Sequence, residues 1–491
     1  RFSGQRLVHV GRGYRYKTLN KEGISMRHSK KTAWVGATLY TVLAADGFAT
    51  NGYFTHGVGT HNKAMAGAGD ASPTMAIDAA NNPASGVLID QQWNVGLGIF
   101  SPNREYTLSG SQYMGQGGSF TLQSSPSQVA GTVESDNNFF PIPYISFNWR
   151  IDDESALTFS FYGRGGMNTE YNGAAATFDP DGPGPAPVMT LDGTYGFGKA
   201  GVDLMQAFLD ISYSRQFGNL SLGFAPVIAY QMFEADGVGT FAPYTKTYAN
   251  SYMTTGMPQM PQNLTNKGSD SSAGIGFKLG GVWAASDQVS LSLAYQSKIS
   301  MGEFDDYSDL FAEAGGFDIP ASARAGISFR PKPNLGYHID VEHIFFSDVD
   351  SVGNPLANVM GCPTAAMGGM NVENCLGGNE GFGFGWDDMT VIQLGVDWSP
   401  SGSPHTTWRF GYAYGEQPIQ PADATINILA PAVMEHHFTA GYAFERDNGN
   451  EFSISVMYAP ENSVTGANFF DPSQQIELTM DQFEVEVSYR F

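Results

Sequence analysis

The chain has 491 residues, of which 60 are Gly, 13% are aromatic and only 15% are charged, a composition that leans to β structure with many turns. That length suits two or three ordinary domains or one large barrel, and the net charge of −23 argues against nucleic acid as a partner. There is no run of 18 apolar residues, which disfavours a spanning helix and leaves strands as the route across any bilayer.

The first legible element starts at Met26, in "MRHSKKTAWVGATLYTVLAADGFA". Arg27, His28, Lys30 and Lys31 form a basic head, Thr32 to Ala45 a mostly apolar stretch too short to span, and Gly47 and Ala49 the small residues of a cleavage site. Residues 26–49 therefore read as a secretory signal peptide, with a buried helix as the alternative. Residues 1–25, which open on Arg1, read as a non-native or mis-called extension. Residues 1–49 hold nine Lys/Arg and two Asp/Glu, so a mature chain from Thr50 carries 16 bases against 46 acids.

Next comes a small-residue ribbon, "GVGTHNKAMAGAGDASPTMAIDAANNPASG" at 57–86, with neither strand alternation nor a helical stripe. From residue 91 the period is two. The clearest case is "DQFEVEVSYRF", with Phe483, Val485, Val487, Tyr489 and Phe491 on one face and Glu484, Glu486, Ser488 and Arg490 on the other. Fourteen such segments are expected, near 91–100, 142–150, 155–165, 206–217, 219–234, 272–285, 287–301, 321–330, 334–346, 389–399, 405–415, 434–445, 451–459 and 481–491. Connections after even strands are short and those after odd strands mostly long, as in a transmembrane up-and-down barrel. One strand face is aliphatic and aromatic. The other carries Lys278, Lys298, Arg324, Asp340, Glu342 and Arg409, which a soluble sandwich or propeller would not place on an interior face. The fold class is thus all-β: a 14-stranded antiparallel transmembrane barrel over 91–491. Its lumen is too wide for side chains alone to fill, so residues 50–90 are expected to plug it as an N-terminal hatch.

Within the third strand, Gly163, Gly165 and Gly166 cluster where regular pairing should run, which marks a kink or the strand's end. Two outer loops carry apolar groups: Tyr248, Tyr252, Met253 and Met257 in one, Tyr307, Leu310 and Phe311 in the other. Such groups bind something or pack together. Cys362 and Cys375, in an exported chain, are expected to form a disulfide. There is no nucleophile elbow, zinc-protease or phosphate-loop motif, so no catalytic residue, cofactor or metal is assigned.

The ribbon, with its "AANNPASG" ending, together with "FSPNREYTLSG", "RFGYAYGEQPIQPADATINILAP", "HHFTAGYAF" and the terminal "VSYRF", resembles the long-chain fatty acid transporter (FadL) family. In this motif Asn82, Pro83 and Ala84 match, and Ser85 stands before Gly86. The resemblance implies a monomeric channel in the outer membrane of a Gram-negative bacterium, set among lipid and lipopolysaccharide. It would take up fatty acids or hydrocarbons passively, through a greasy groove between the two loops and a gap at the kinked third strand. One departure bears on substrate. The fifth strand, "LSLGFAPVIAYQMFEADG", lacks the bases that meet a carboxylate in fatty-acid members, leaving Arg164, Lys278 or Arg324 for that task and making an uncharged substrate more plausible. The alternative reading is a non-transporting surface receptor or adhesin barrel.

Overall fold

The computed structural model describes residues 50–113, 119–179, 184–364 and 368–491, so the expected extension and signal peptide at 1–49 lie outside the described residues. Among the described residues, polarity is turned inside out. Ile99, Ile228, Ile275, Leu293, Phe410 and Phe438 face outward, while Lys278, Arg324, Asp340, Glu342, Glu484 and Glu486 are at most 5% exposed. Only a wall with lipid outside makes that arrangement favourable.

The wall is a closed ring of fourteen antiparallel strands. In chain order they are β1 (Gln92–Gly110), β2 (Phe140–Arg150), β3 (Ser155–Tyr171), β4 (Ala200–Phe217), β5 (Leu220–Asp236), β6 (Asp270–Ala284) and β7 (Val289–Gln296). The ring continues through β8 (Ser322–Lys332), β9 (Leu335–Ile344), β10 (Met389–Trp398), β11 (Thr406–Gly415), β12 (His436–Glu445), β13 (Glu451–Asn468) and β14 (Asp471–Arg490). It closes through β1 and β14, whose register runs from Asn94 opposite Arg490 to Gly110 opposite Gln474. At the end of the short turns, Trp93, Trp149, Trp283, Trp398 and Trp408 are 40–50% exposed, as in an interfacial girdle.

Each expected strand is present, but five are longer than the sequence reading by six residues or more. β1, β3 and β4 gain residues at their outer ends, and β13 and β14 run on to meet at Phe469–Phe470 where a long loop was expected. β14 has 20 residues, about twice the ~10 needed to cross a bilayer. Its outer half therefore stands in water. β7, by contrast, ends at Gln296, so Lys298 lies past it, exposed and paired with Asp318 at 3.3 Å.

Residues 50–90 fill the lumen and are almost entirely buried. Short helical turns at Thr60–Lys63, Ala76–Ala80 and Pro83–Leu88 break the ribbon. The wall grips it by charge and by close approach. Lys63 Nζ pairs with both Glu484 and Glu486 of β14, Arg324 Nε lies 2.9 Å from Asp70, and Lys278 Nζ donates to the Ala80 carbonyl at 2.8 Å. Asn82 caps its own turn through the Ala84 amide and donates to the Gly281 and Leu293 carbonyls of β6 and β7. Ser221 donates to the Ala84 carbonyl at 2.7 Å, and Asn148 donates to the carbonyls of Gly86, Ile89 and Asp90.

Candidate functional site

A break in the wall lies between β2 and β3. Their pairing ends at Tyr144 opposite Tyr162, whereas β3 continues to Tyr171. On its other side β3 stays paired with β4, with a register shift between Gly163 and Gly165 that leaves Arg164 as a bulge. A bulge bends a strand and re-aims its side chains. The outer edge of the break is a crossing segment: Ser135 donates its amide to the Arg104 carbonyl of β1, and Asp136 donates to the Glu170 carbonyl of β3, each at 2.8 Å. Between these limits the β3 edge faces a window.

The hatch fills that edge from inside. Thr55 N donates to Arg164 O and Gly166 N donates to Tyr53 O, both at 2.9 Å, which sets Phe54 opposite Gly165 as an antiparallel pair. A Cβ on Gly165 would lie 3.3 Å from the Phe54 ring and 2.2 Å from Gln206 Oε1. Glycine here lets the hatch approach. Arg164 stacks over Phe54 at 4.8 Å and pairs with Glu342 of β9 at 2.9 Å.

Three apolar spaces are joined through neighbouring aromatic side chains, from the outer loops to the β3 residues Met167 and Asn168. The outermost, about 300 Å³, is lined by Phe120, Phe178, Leu191, Pro243, Tyr244, Met260 and Phe470. The middle one is lined by Phe233, Leu310, Phe311, Phe382, Phe384 and Leu429, and the innermost by Phe100, Arg104, Met167, Asn168, Trp386 and Met480. These two hold only about 30 and 10 Å³, room for little more than water. Single aromatic side chains divide the spaces. Phe241 packs on Phe470 of the outer space and Phe382 of the middle one, with centroids 6.1 and 5.8 Å apart. Phe384 of the middle space packs on Trp386 of the inner one at 5.9 Å. Trp386 is fixed by Nε1–H donating to Asn427 Oδ1 at 2.7 Å and by the hatch ring of Tyr53.

The two outer loops meet through Asp309, which accepts from the Thr247 hydroxyl at 2.5 Å and the Asn263 amide at 3.0 Å. Their apolar groups have different surroundings. Tyr248 is half-buried on the helix Lys246–Thr255, and Tyr252, Met253 and Met257 are exposed. Tyr307 and Phe311 are instead buried against Phe233, with centroids 4.9 and 4.6 Å away, and Leu310 and Phe311 line the middle space. Cys362 and Cys375 are joined, closing a loop that docks on the same helix through Lys246 and Glu373. Sequence reasoning missed Phe241, Phe382, Phe384 and Trp386. A signal existed for three of them: "GFGFGW" at 381–386 sets aromatics at every second residue of a loop.

The middle and outer spaces are lined by no ionisable side chain other than the Tyr244 phenol, whose pKa burial raises. The three bases that sequence offered to a carboxylate already have partners: Arg164 with Glu342, Lys278 with Asp210 at 2.7 Å, and Arg324 with Asp70.

Residues 36–488 match the profile of a family described as outer membrane protein transport protein (OMPP1/FadL/TodX). Among solved structures, the Pseudomonas putida toluene transporter TodX is similar with a TM-score of 0.58 at 16% identity, covering 89% of this chain and 98% of that one. A Pseudomonas aeruginosa FadL homologue gives 0.55 at 17%, covering 89% and 98%. The Ralstonia pickettii toluene transporter TbuX gives 0.52 at 14%, with the same coverage. Curated protein sequences give no significant match. At such identities the structural likeness speaks for the fold alone.

Proposed function

The chain belongs to the outer-membrane transport protein family (OMPP1/FadL/TodX), and from that premise we propose that it passes uncharged hydrophobic molecules sideways into the membrane through the β2–β3 window. The observation that carries this reading is the end of β2–β3 pairing at Tyr144 and Tyr162, beyond which the β3 edge is met from inside by hatch residues Tyr53 and Thr55. Apolar spaces lead from the outer loops to that point. Lateral exit suits the cargo, because crossing water would cost about 0.8 kcal/mol for each exposed CH₂. The inner spaces are water-sized, so passage requires the hatch strand at 53–55 to leave the β3 edge. The scarcity of charge along the route, and the pairing of Arg164, Lys278 and Arg324, favour an aromatic or aliphatic hydrocarbon over a fatty acid. Contact with outer-membrane lipid and lipopolysaccharide, and the monomeric state, belong to the same proposal.

The test uses the Phe54–Gly165 pair. Flanked by Thr55 N–Arg164 O and Gly166 N–Tyr53 O bonds, it is a non-hydrogen-bonded pair, the closest side-chain geometry in an antiparallel ladder. Cells lacking their own transporter would express the Phe54→Cys/Gly165→Cys protein, and uptake of labelled toluene and oleate would be followed with the thiols oxidised and reduced. Toluene uptake that stops on oxidation and returns on reduction in the double variant, while uptake by each single variant does not respond to oxidation or reduction, is the expected result. Uptake indifferent to oxidation removes the window. Failure to take up either compound moves the reading to the surface-receptor alternative.

A further inference from the structure

Arg104 sits at the window with its side chain turned into the barrel and only 4% exposed. Its guanidinium ties the outer corner of the opening: one terminal nitrogen donates to the Asn168 carbonyl on the β3 rim, and the other donates to the Asn137 carbonyl of the crossing segment. The Phe140 ring, at the start of β2, lies 5.4 Å beneath it. The Asn168 carbonyl lies on the stretch of β3 that has no β2 partner, since β2 pairs with β3 only up to Tyr144 and Tyr162. A buried carbonyl without a donor is costly, so one cation closing two of them is a stable arrangement. The same side chain lines the innermost apolar space with Met167 and Trp386.

We propose that Arg104 is the latch of the window and sets the size of molecule that leaves through it. The inference rests on lateral exit being the route. A small molecule that leaves beneath the guanidinium has only the Phe140 ring to turn aside. A wider one must break the bonds to Asn137 and Asn168, leaving the cation and the Asn168 carbonyl unpaired in an apolar passage. Arginine serves where lysine would not, because its planar fork reaches two acceptors on different segments at once.

The test compares Arg104→Met, which keeps length and removes the donors, with Arg104→Lys and the parent. Surface amount and heat-modifiable mobility would confirm folded protein. Initial uptake of labelled toluene and of the two-ring hydrocarbon biphenyl is measured in cells. A second readout is Met167→Cys alkylation by a maleimide dissolved in the lipid, clean because the two native cysteines are joined. The latch predicts a several-fold rise for biphenyl in Arg104→Met, a smaller rise for toluene, faster alkylation, and Arg104→Lys in between. Unchanged or lower biphenyl uptake and alkylation in Arg104→Met would overturn it. If oxidising the Phe54–Gly165 thiol pair blocks toluene while Arg104→Met changes nothing, only the latch falls. If oxidation does not block toluene, lateral exit falls and the latch with it.

Discussion

Gly280 of the wall and Asn82 of the hatch stand so close that a methyl group on the glycine would lie 2.0 Å from the Asn82 amide oxygen. On the neighbouring strand, a methyl on Gly223 would lie 2.2 Å from the backbone carbon of Pro83. The Asn82–Pro83–Ala84 turn is thus seated where β5 and β6 each lack a side chain. Gly223→Ala should be worse than Gly280→Ala, because backbone cannot swing aside as an amide can. The expected costs are about 1–3 kcal/mol for overpacking and about 1 kcal/mol for the cap lost in Asn82→Ala. Protease access to the hatch in detergent-folded protein would rank the three. Equal protection in all would show that the turn is not held by the wall.

Lys63 shares its ammonium between Glu484 and Glu486, all three buried. Removing the cation leaves two carboxylates facing each other in the lumen. Lys63→Met should therefore cost about 3–5 kcal/mol, the range for breaking a buried ion pair by one partner. The hatch should loosen before the wall does. Cells carrying Lys63→Met should become sensitive to large polar antibiotics, and Lys63→Arg should restore most of the barrier. Unchanged sensitivity in Lys63→Met would show that the plug is secured elsewhere.

How far this organisation was legible follows from where each residue meets its surroundings. In β14 the lower half reads clearly, because Phe483 and Val487 face lipid while Glu484 and Glu486 face the lumen. Above Asp481 the apolar set moves to the other face: Ile476, Leu478 and Met480 point inward, and Glu477 points out to water. The pleat is continuous, but the hydrophobic pattern changes phase where the strand leaves the bilayer, and this looks like a strand end. Glycines in the third strand announced an irregularity at Gly163–Gly166. They could not announce its occupant, since Phe54 lies more than a hundred residues earlier. Likewise Arg164, Lys278 and Arg324 are visible as bases, but the carboxylates that occupy them come from other strands and the hatch.

His56 supplies a pH dependence. Its ring is fully buried, stacked on His437 at 6.1 Å, with Glu484 at 3.7 Å already engaged by Lys63. Burial, and secondly the charge of Lys63, push its pKa down to about 3. Between an ordinary value near 6.5 and about 3, the unfolded chain binds a proton that the folded one refuses. Stability therefore falls as pH drops through that window, by up to about 1.4 kcal/mol per pH unit for this group, and above it the group contributes nothing. Thermal unfolding in micelles from pH 7.5 to 4 should show the loss, with a shallower slope in His56→Gln. Matching slopes would assign the acid sensitivity to other groups.

Phe241 is the ring between the outer and middle spaces, buried to 1% and touching Tyr195, Phe382 and Phe470. The outer space, about 300 Å³, has room for a small aromatic molecule, whereas the middle one, about 30 Å³, does not. A molecule moving inward must displace this ring, and the aromatic contacts, about 0.5–1.5 kcal/mol each, set part of the barrier. Phe241→Ala joins the two spaces and should raise initial toluene uptake several-fold. It should also cost about 3–5 kcal/mol locally, as for other buried Phe truncations. Phe241→Trp keeps the partition, enlarges it and should slow entry. If Ala and Trp shift uptake in the same direction at equal surface amounts, Phe241 acts through loop stability and not as a partition.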